Sequence, residues 1–267
     1  MNSQSTDSSA PDTEEPIGTA VAAARAVDLH KQYGEGETSV VALDHINIEF
    51  ARNKFTAIMG PSGSGKSTLM HTMAGLDRAS SGGAFIGDTD LSGLSDKEIT
   101  AIRRDRLGFI FQSFNLVPTL TAAENITLPT DIAGKSVDRE WFDEVTTRLG
   151  IKNRLEHRPA ELSGGQQQRL SIARALIRQP KVLMFDDSTS ALDLATEARL
   201  LEALDNYNCT VLMITQKIST ALRADRILLL DNGKVIAFDT HENLLNTSKM
   251  YQHIFESQYR EEMSHVN

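Results

Sequence analysis

Alternating strand and helix signals predict an α/β fold: a mostly parallel sheet covered by helices, with an antiparallel β part near the start and a helical part inserted midway. Three stretches carry this prediction. Residues 54–60 (KFTAIMG) are a short apolar run ending in glycine, as a strand buried on both faces would before a turn. Residues 181–187 (KVLMFDD) and 209–215 (CTVLMIT) repeat the pattern, each after a helical stretch.

The remaining elements follow in order. From about Ala22 the chain is rich in β-forming residues, and residues 39–50 (SVVALDHINIEF) alternate apolar with polar, as a half-buried antiparallel strand does. KSTLMHTMAGL opens a helix directly after the glycine-rich turn. Residues 113–162 have more helical periodicity (TAAENITL, VDREWFDEVTTRLG), with Trp141 and Phe142 expected to pack a helix. GQQQRLSIARALIRQ and ATEARLLEALDNY read as helices, RILLLDN and KVIAFDT as strands, and DTHENLLNTSKMYQHIFESQY as two closing helices. The boundaries expected are a disordered acidic tail over 1–21 and one domain over 22–267. Within that domain, a helical part spans 113–172 and closing helices span 241–267.

Charge and composition exclude some function classes. The net charge is −9, and the first sixteen residues hold four acidic residues and no Lys or Arg, leaving 27 basic against 32 acidic residues in the body. A mildly acidic body does not suit phosphate-gripping nucleic-acid binding. Cys209 is the single cysteine and lies in an apolar run, so a buried strand position is expected, with no disulfide framework and a cytoplasmic setting. No stretch approaches the ~18–20 apolar residues of a membrane span, and the start lacks a signal peptide's basic and apolar regions. A membrane role is therefore expected through a partner.

Gly60, Pro61, Ser62, Gly63, Ser64, Gly65, Lys66, Ser67 and Thr68 match G-x-x-x-x-G-K-[ST], between a buried strand and a helix. The glycines let backbone N–H groups face phosphate oxygens, and the helix N-terminus adds its positive end. Lys66 is placed to reach the β- and γ-phosphates, and Ser67 to ligate Mg²⁺. The expected fold class is accordingly a P-loop NTPase with a RecA-like sheet, and the expected ligand is a nucleoside triphosphate with Mg²⁺.

Downstream come Leu162, Ser163, Gly164, Gly165 and Gln166 before an amphipathic helix, then the apolar strand ending in Asp186 and Asp187, then Ser190-Ala-Leu-Asp193. In this order, behind a phosphate loop, these motifs resemble the ABC ATPase family over nearly the whole chain from about residue 22. The resemblance implies a head-to-tail dimer in which ATP is sandwiched between the phosphate loop of one cassette and Ser163, Gly164 and Gly165 of another. That second cassette would be a second copy or a different chain. A separate transmembrane subunit is the other implied partner, which puts the chain on the cytoplasmic face of a membrane. Tyr33 resembles the aromatic that stacks on adenine. Gln112 resembles the glutamine that contacts Mg²⁺ and water and faces the membrane partner. Asp186 would hold Mg²⁺ through water, and Asp193 lies in the loop that communicates across the dimer.

Two positions depart from the family pattern. Asp187 stands where a glutamate ordinarily polarises the attacking water, and Gln216 where a histidine is usual; Gln cannot carry an imidazole's charge. Firm Mg·ATP binding with slow hydrolysis is expected, the alternative being a regulatory ATP-binding module with little turnover. Residues from about Lys181 onward (FDDSTSALD, ITQKISTALRADRILLLDNGKVIAFDTHENLL) resemble the degenerate half of heterodimeric ABC exporters. GPSGSGKSTLMHTMAGLD, FQSFNLVPTLTAAENI and HRPAELSGGQQQR instead resemble lipoprotein-release and macrolide-export ATPases. The chain thus reads as a chimera with a junction near residues 170–181. A non-transport relative acting on ribosomes or DNA would bring tandem cassettes or a basic face, and a small-molecule kinase would not need the LSGGQ and SALD motifs.

Overall fold

The computed structural model describes residues 22–186, 201–202 and 207–264. The acidic tail, Asp187, Ser188, residues 190–193 and most of the helix expected over ATEARLLEALDNY lie outside these described residues.

Two sheets enclose the first long helix. The antiparallel sheet has the order β2-β1-β4-β5, from β1 (Ala24–Tyr33), β2 (Val40–Phe50), β4 (Ser81–Ile86) and β5 (Thr89–Asp90). Its inner face alternates as a one-sided sheet must, with Leu43, Ile46, Ile48 and Phe50 buried along β2. The larger sheet has the order β10-β9-β3-β8-β7-β6. Its strands are β3 (Phe55–Met59), β6 (Leu107–Ile110), β7 (Val182–Phe185), β8 (Thr210–Ile214), β9 (Arg226–Asp231) and β10 (Lys234–Asp239). All neighbouring pairs are parallel except β9 with β10.

Period-2 geometry distributes the apolar runs over two faces. Ile58, Val182, Met184, Leu212, Ile214, Leu228 and Leu230 join one core with α1 (Lys66–Met73) and the antiparallel sheet. On the other face Leu183, Phe185, Val211 and Met213 pack under α3 (Ala122–Ile132), α4 (Arg139–Arg148) and α5 (Gly164–Leu176). Ala57, Met59, Ile227 and Leu229 on that face meet α6 (Ile218–Ala221), α7 (His241–Thr247) and α8 (Lys249–Ser264). This double-sided burial is why these strands read as unbroken hydrophobic runs.

The middle helices are held by named contacts. Thr121 and Glu124 form a reciprocal cap on α3. Trp141 Nε1 donates to the Leu176 carbonyl at 3.1 Å and its ring stacks on Tyr207, tying α4 to the end of α5. Cys209 is buried as expected but sits just before β8 rather than within it, and burial pushes its thiol up to about 12, which leaves it unreactive. Helix α2 (Asp96–Arg106) leads into β6 and was not visible in the hydrophobic pattern, because Ile99 is its one buried residue. Among the described residues no helix is long and apolar enough to cross a membrane.

Candidate functional site

The candidate residues gather at the carboxyl ends of the parallel strands, the position at which open α/β sheets bind ligands. Residues 60–65 follow β3, Gln112 follows β6, Asp186 follows β7 and Gln216 follows β8. In the glycine-rich loop, Gly60 has φ 146° and a Cβ there would lie 2.0 Å from the Leu230 carbonyl oxygen; Gly65, with φ 98°, would set a Cβ 2.4 Å from that of Ala42. Two neighbouring strands therefore press on the loop and permit only glycine at those points. Ser62 and Gly63 are exposed at the loop's crest, Ser64 is buried, and Thr68 follows on α1.

The Lys66 ammonium curls over the loop, donating to the carbonyls of Gly60 at 2.9 Å and Pro61 at 2.7 Å and approaching Ser64 Oγ at 3.3 Å. Ser67 Oγ donates to Asp186 Oδ1 at 2.7 Å, and Asp186 is only 8% exposed. A hydroxyl beside a carboxylate is a hard-oxygen pair, the chemistry that fits Mg²⁺. His71 Nε2 lies 3.0 Å from Asp186 Oδ2, a contact that sequence reasoning missed. It follows from helical spacing, since Ser67 and His71 stand four residues apart on one face of α1.

Tyr33 closes one side. Its ring is 42% exposed, its hydroxyl donates to Asp77 Oδ2 at 2.6 Å, and Lys31 Nζ sits 4.6 Å from the ring centroid. Burial and the Asp77 bond push the phenol's pKa up, so the ring stays neutral. Burial works against ionisation of Asp77, but bonds from Lys31 and Tyr33 outweigh it and hold its carboxyl below the usual range. Asp77 and Lys31 were not foreseen; they clamp the aromatic rather than touch the loop.

Gln112 is exposed in the loop beyond β6, two residues after the strand's last residue. The backbone turns left-handed at Phe114 and Asn115, and Arg174 of α5 donates to both of their carbonyls at 2.6 Å. Burial lowers the Arg174 pKa, yet its charge is spread over two strong acceptors. Replacing Arg174 by Met should lower stability by about 1–3 kcal/mol through the orphaned carbonyls, read as a lower denaturation midpoint. Lys should rescue it incompletely, because an ammonium lacks the fork.

Ser163 caps α5, accepting from Gln166 N at 3.4 Å while Gln166 Oε1 accepts from Ser163 N at 2.9 Å. Gly164 follows exposed and Gly165 half-buried in the first turn, whose N–H groups have no helical acceptor. Gln216 is exposed, and its main chain is held from α8: Gln258 Nε2 donates to the Gln216 carbonyl at 2.5 Å, and Gln258 Oε1 accepts from Ile218 N at 2.8 Å.

Known proteins are similar to this chain in sequence and fold. The lipoprotein-releasing system ATP-binding protein LolD of Nitrobacter hamburgensis is 41% identical over 218 residues, which is 79% of this chain and 94% of the relative. The macrolide export ATP-binding/permease protein MacB of Rhodopseudomonas palustris (strain BisB18) is 43% identical over 214 residues, 78% of this chain, and the match spans about a third of that relative's length (33%). A dimeric ATP-binding cassette, MJ0796, in a post-hydrolysis state with ADP and Pi is 36% identical with a TM-score of 0.76, over 81% of this chain and 98% of that one. The family described as ABC transporter matches residues 43–190. With a glycine loop and a serine–aspartate pair at one end of the parallel strands and a capped LSGGQ helix, the chain belongs to the ABC transporter family as an ATP-binding cassette.

Proposed function

We propose that the chain is a Mg·ATP-driven motor subunit that dimerises around nucleotide and moves a separate membrane subunit, with slow hydrolysis at its own site. The convergence of residues 60–68, Asp186, Gln112 and Gln216 at one sheet edge carries this reading. Lys66 and the loop amides would hold the β- and γ-phosphates, Tyr33 would carry the adenine, and Ser67, Gln112 and Asp186 would hold Mg²⁺. The ion supplies charge neutralisation on the phosphates. Ser163, Gly164, Gly165 and Gln166 would close on the γ-phosphate of a second cassette, and Asp193 would relay between the two. The regulatory alternative rests on Asp187 and Gln216, and steady-state ATPase with and without the membrane subunit separates the two readings.

A groove beside Gln112 supports the membrane partner. Leu76, Phe109, Phe111, Leu128, Pro129 and Ile132 line it, and Ile132 is 77% exposed. An apolar groove next to the loop that carries Gln112 fits a short helix from a partner. The assembly would place the chain on the cytoplasmic face of the membrane. The resemblance of the two parts of the chain to different branches adds a proposed junction near residues 170–181, where two uncoupled unfolding transitions would mark a poorly matched chimera.

Light scattering tests the dimer. With Mg²⁺ and a non-hydrolysable ATP analogue the chain should double in mass, alone or mixed with its partner cassette, and Ser163→Arg should weaken that pairing while the chain still binds nucleotide. A wild-type chain that binds the analogue yet pairs neither with a second copy nor with a partner cassette sinks the motor reading.

A further inference from the structure

Two facing bulges bring four polar side chains together on the antiparallel sheet. Leu29 pairs with Ile46 and Lys31 with Leu43, so β2 carries one residue more than β1, and Asp44 and His45 both stand opposite His30. On the adjacent stretch the excess is on β1: Ala26 pairs with Ile48 and Leu29 with Ile46, so Val27 and Asp28 face Asn47. Asp28 and His45 adopt left-handed backbone, φ 48° and 52°, which residues bearing a Cβ seldom do. Bulges of this kind re-aim side chains, and here they aim them at one another.

The result is a compact donor set. One ligand atom each from His30, Asp44 and His45 lies within 4.8 Å of the other two. The two imidazoles stack at 5.0 Å between centroids. His30 Nδ1 is buried without a hydrogen-bond partner, an unfavourable state that a ligand would relieve. His45 Nδ1 is 2.7 Å from Asp28 Oδ1; this bond assigns the proton to Nδ1 and leaves the Nε2 lone pair available, the arrangement found behind metal-bound imidazoles. The Lys234 ammonium lies 3.1 Å from Asp44 Oδ2, a cation already drawn to that carboxylate.

We propose that His30, Asp44 and His45 bind a divalent transition-metal ion, with Zn²⁺ as the reference case and Asp28 orienting His45 from behind. Two imidazoles and a carboxylate suit Zn²⁺ and its neighbours far better than Mg²⁺. Tetrahedral donors at about 2.0–2.1 Å from an ion stand roughly 3.3 Å apart, against the 4.8 Å within which one ligand atom of each residue already lies. His45 and Lys234 are each more than half exposed, so solvent rather than packed core surrounds much of both side chains. Lys234 competes with the cation for Asp44. The site is distinct from the nucleotide machinery: Tyr33 lies three residues further along β1, and none of the four residues touches the phosphate loop through its side chain in any contact described above.

Zn²⁺ titration of the untagged, nucleotide-free full chain tests this, in a His71→Gln background so that the His71–Asp186 pair contributes no second imidazole. One ion per chain should bind, and Co²⁺ should give the strong visible bands of a four-coordinate site. Asp28→Asn should weaken Zn²⁺ about tenfold. His30→Gln and His45→Gln should each weaken it more than Asp28→Asn does, with unchanged circular dichroism. Lys234→Ala removes a competing positive charge from the exposed first residue of β10 and should tighten binding severalfold. Absence of stoichiometric binding overturns the proposal, as does a His30→Gln, His45→Gln protein that binds like its parent. Should those two variants fail to fold, unchanged affinity in Lys234→Ala overturns it by itself.

Discussion

Asp187→Glu combined with Gln216→His should raise single-turnover ATP hydrolysis at the chain's own site by about 10²–10⁴-fold, the range spanned by a correctly placed acid–base group. Asp187 follows Asp186, whose position is set by the Ser67 hydroxyl donating to its side chain and by its own backbone N–H donating to the Ile110 carbonyl at 3.0 Å. An aspartate carboxylate at the next position is one methylene shorter than a glutamate's. A misplacement of ~1 Å is itself worth about 10² in rate. Gln216 supplies a hydrogen bond but not the charge of an imidazolium. Rapid-quench measurement with enzyme in excess over ATP isolates this site from any partner's. A double variant no faster than the parent would show that Asp and Gln suffice.

Removing the ammonium that roofs the phosphate loop should have the next largest consequence. Lys66→Ala should weaken Mg·ATP binding about 10–100-fold, since hydrogen bonds to charged groups contribute about 1.5–3 kcal/mol. The loop shape should survive, because Gly60 and Gly65 are set by the Leu230 and Ala42 carbonyls rather than by Lys66. Titration with a fluorescent ATP analogue measures the loss, and an affinity within twofold of wild type would show that the loop amides alone hold the triphosphate.

How legible each part was depended on whether its physics is local. Strands β3, β7 and β8 announced themselves because both faces are buried, and the phosphate loop because only glycine tolerates the carbonyls pressing on it. Between Leu76 and Arg106 the pattern was silent. Strand β4 begins Ser-Gly-Gly, β5 has two residues, and α2 is charged over almost its whole surface. The reciprocal cap of Ser95 and Glu98 was there to be read as the start of α2. Arg174 and Asp77 were beyond reach for another reason: their partners lie 44 to 60 residues away and meet them only once the sheets are assembled. His71 was intermediate, displayed by helical spacing from Ser67 but lacking any sign that Asp186 would arrive opposite it.

Gln258 gives the last long helix a hand on the segment that follows β8. By gripping a carbonyl at 216 and an amide at 218 with one primary amide, it makes the far end of the polypeptide a lever on the residue that follows β8. A change in the seating of that helix would therefore shift the Gln216 carbonyl and the Ile218 amide together.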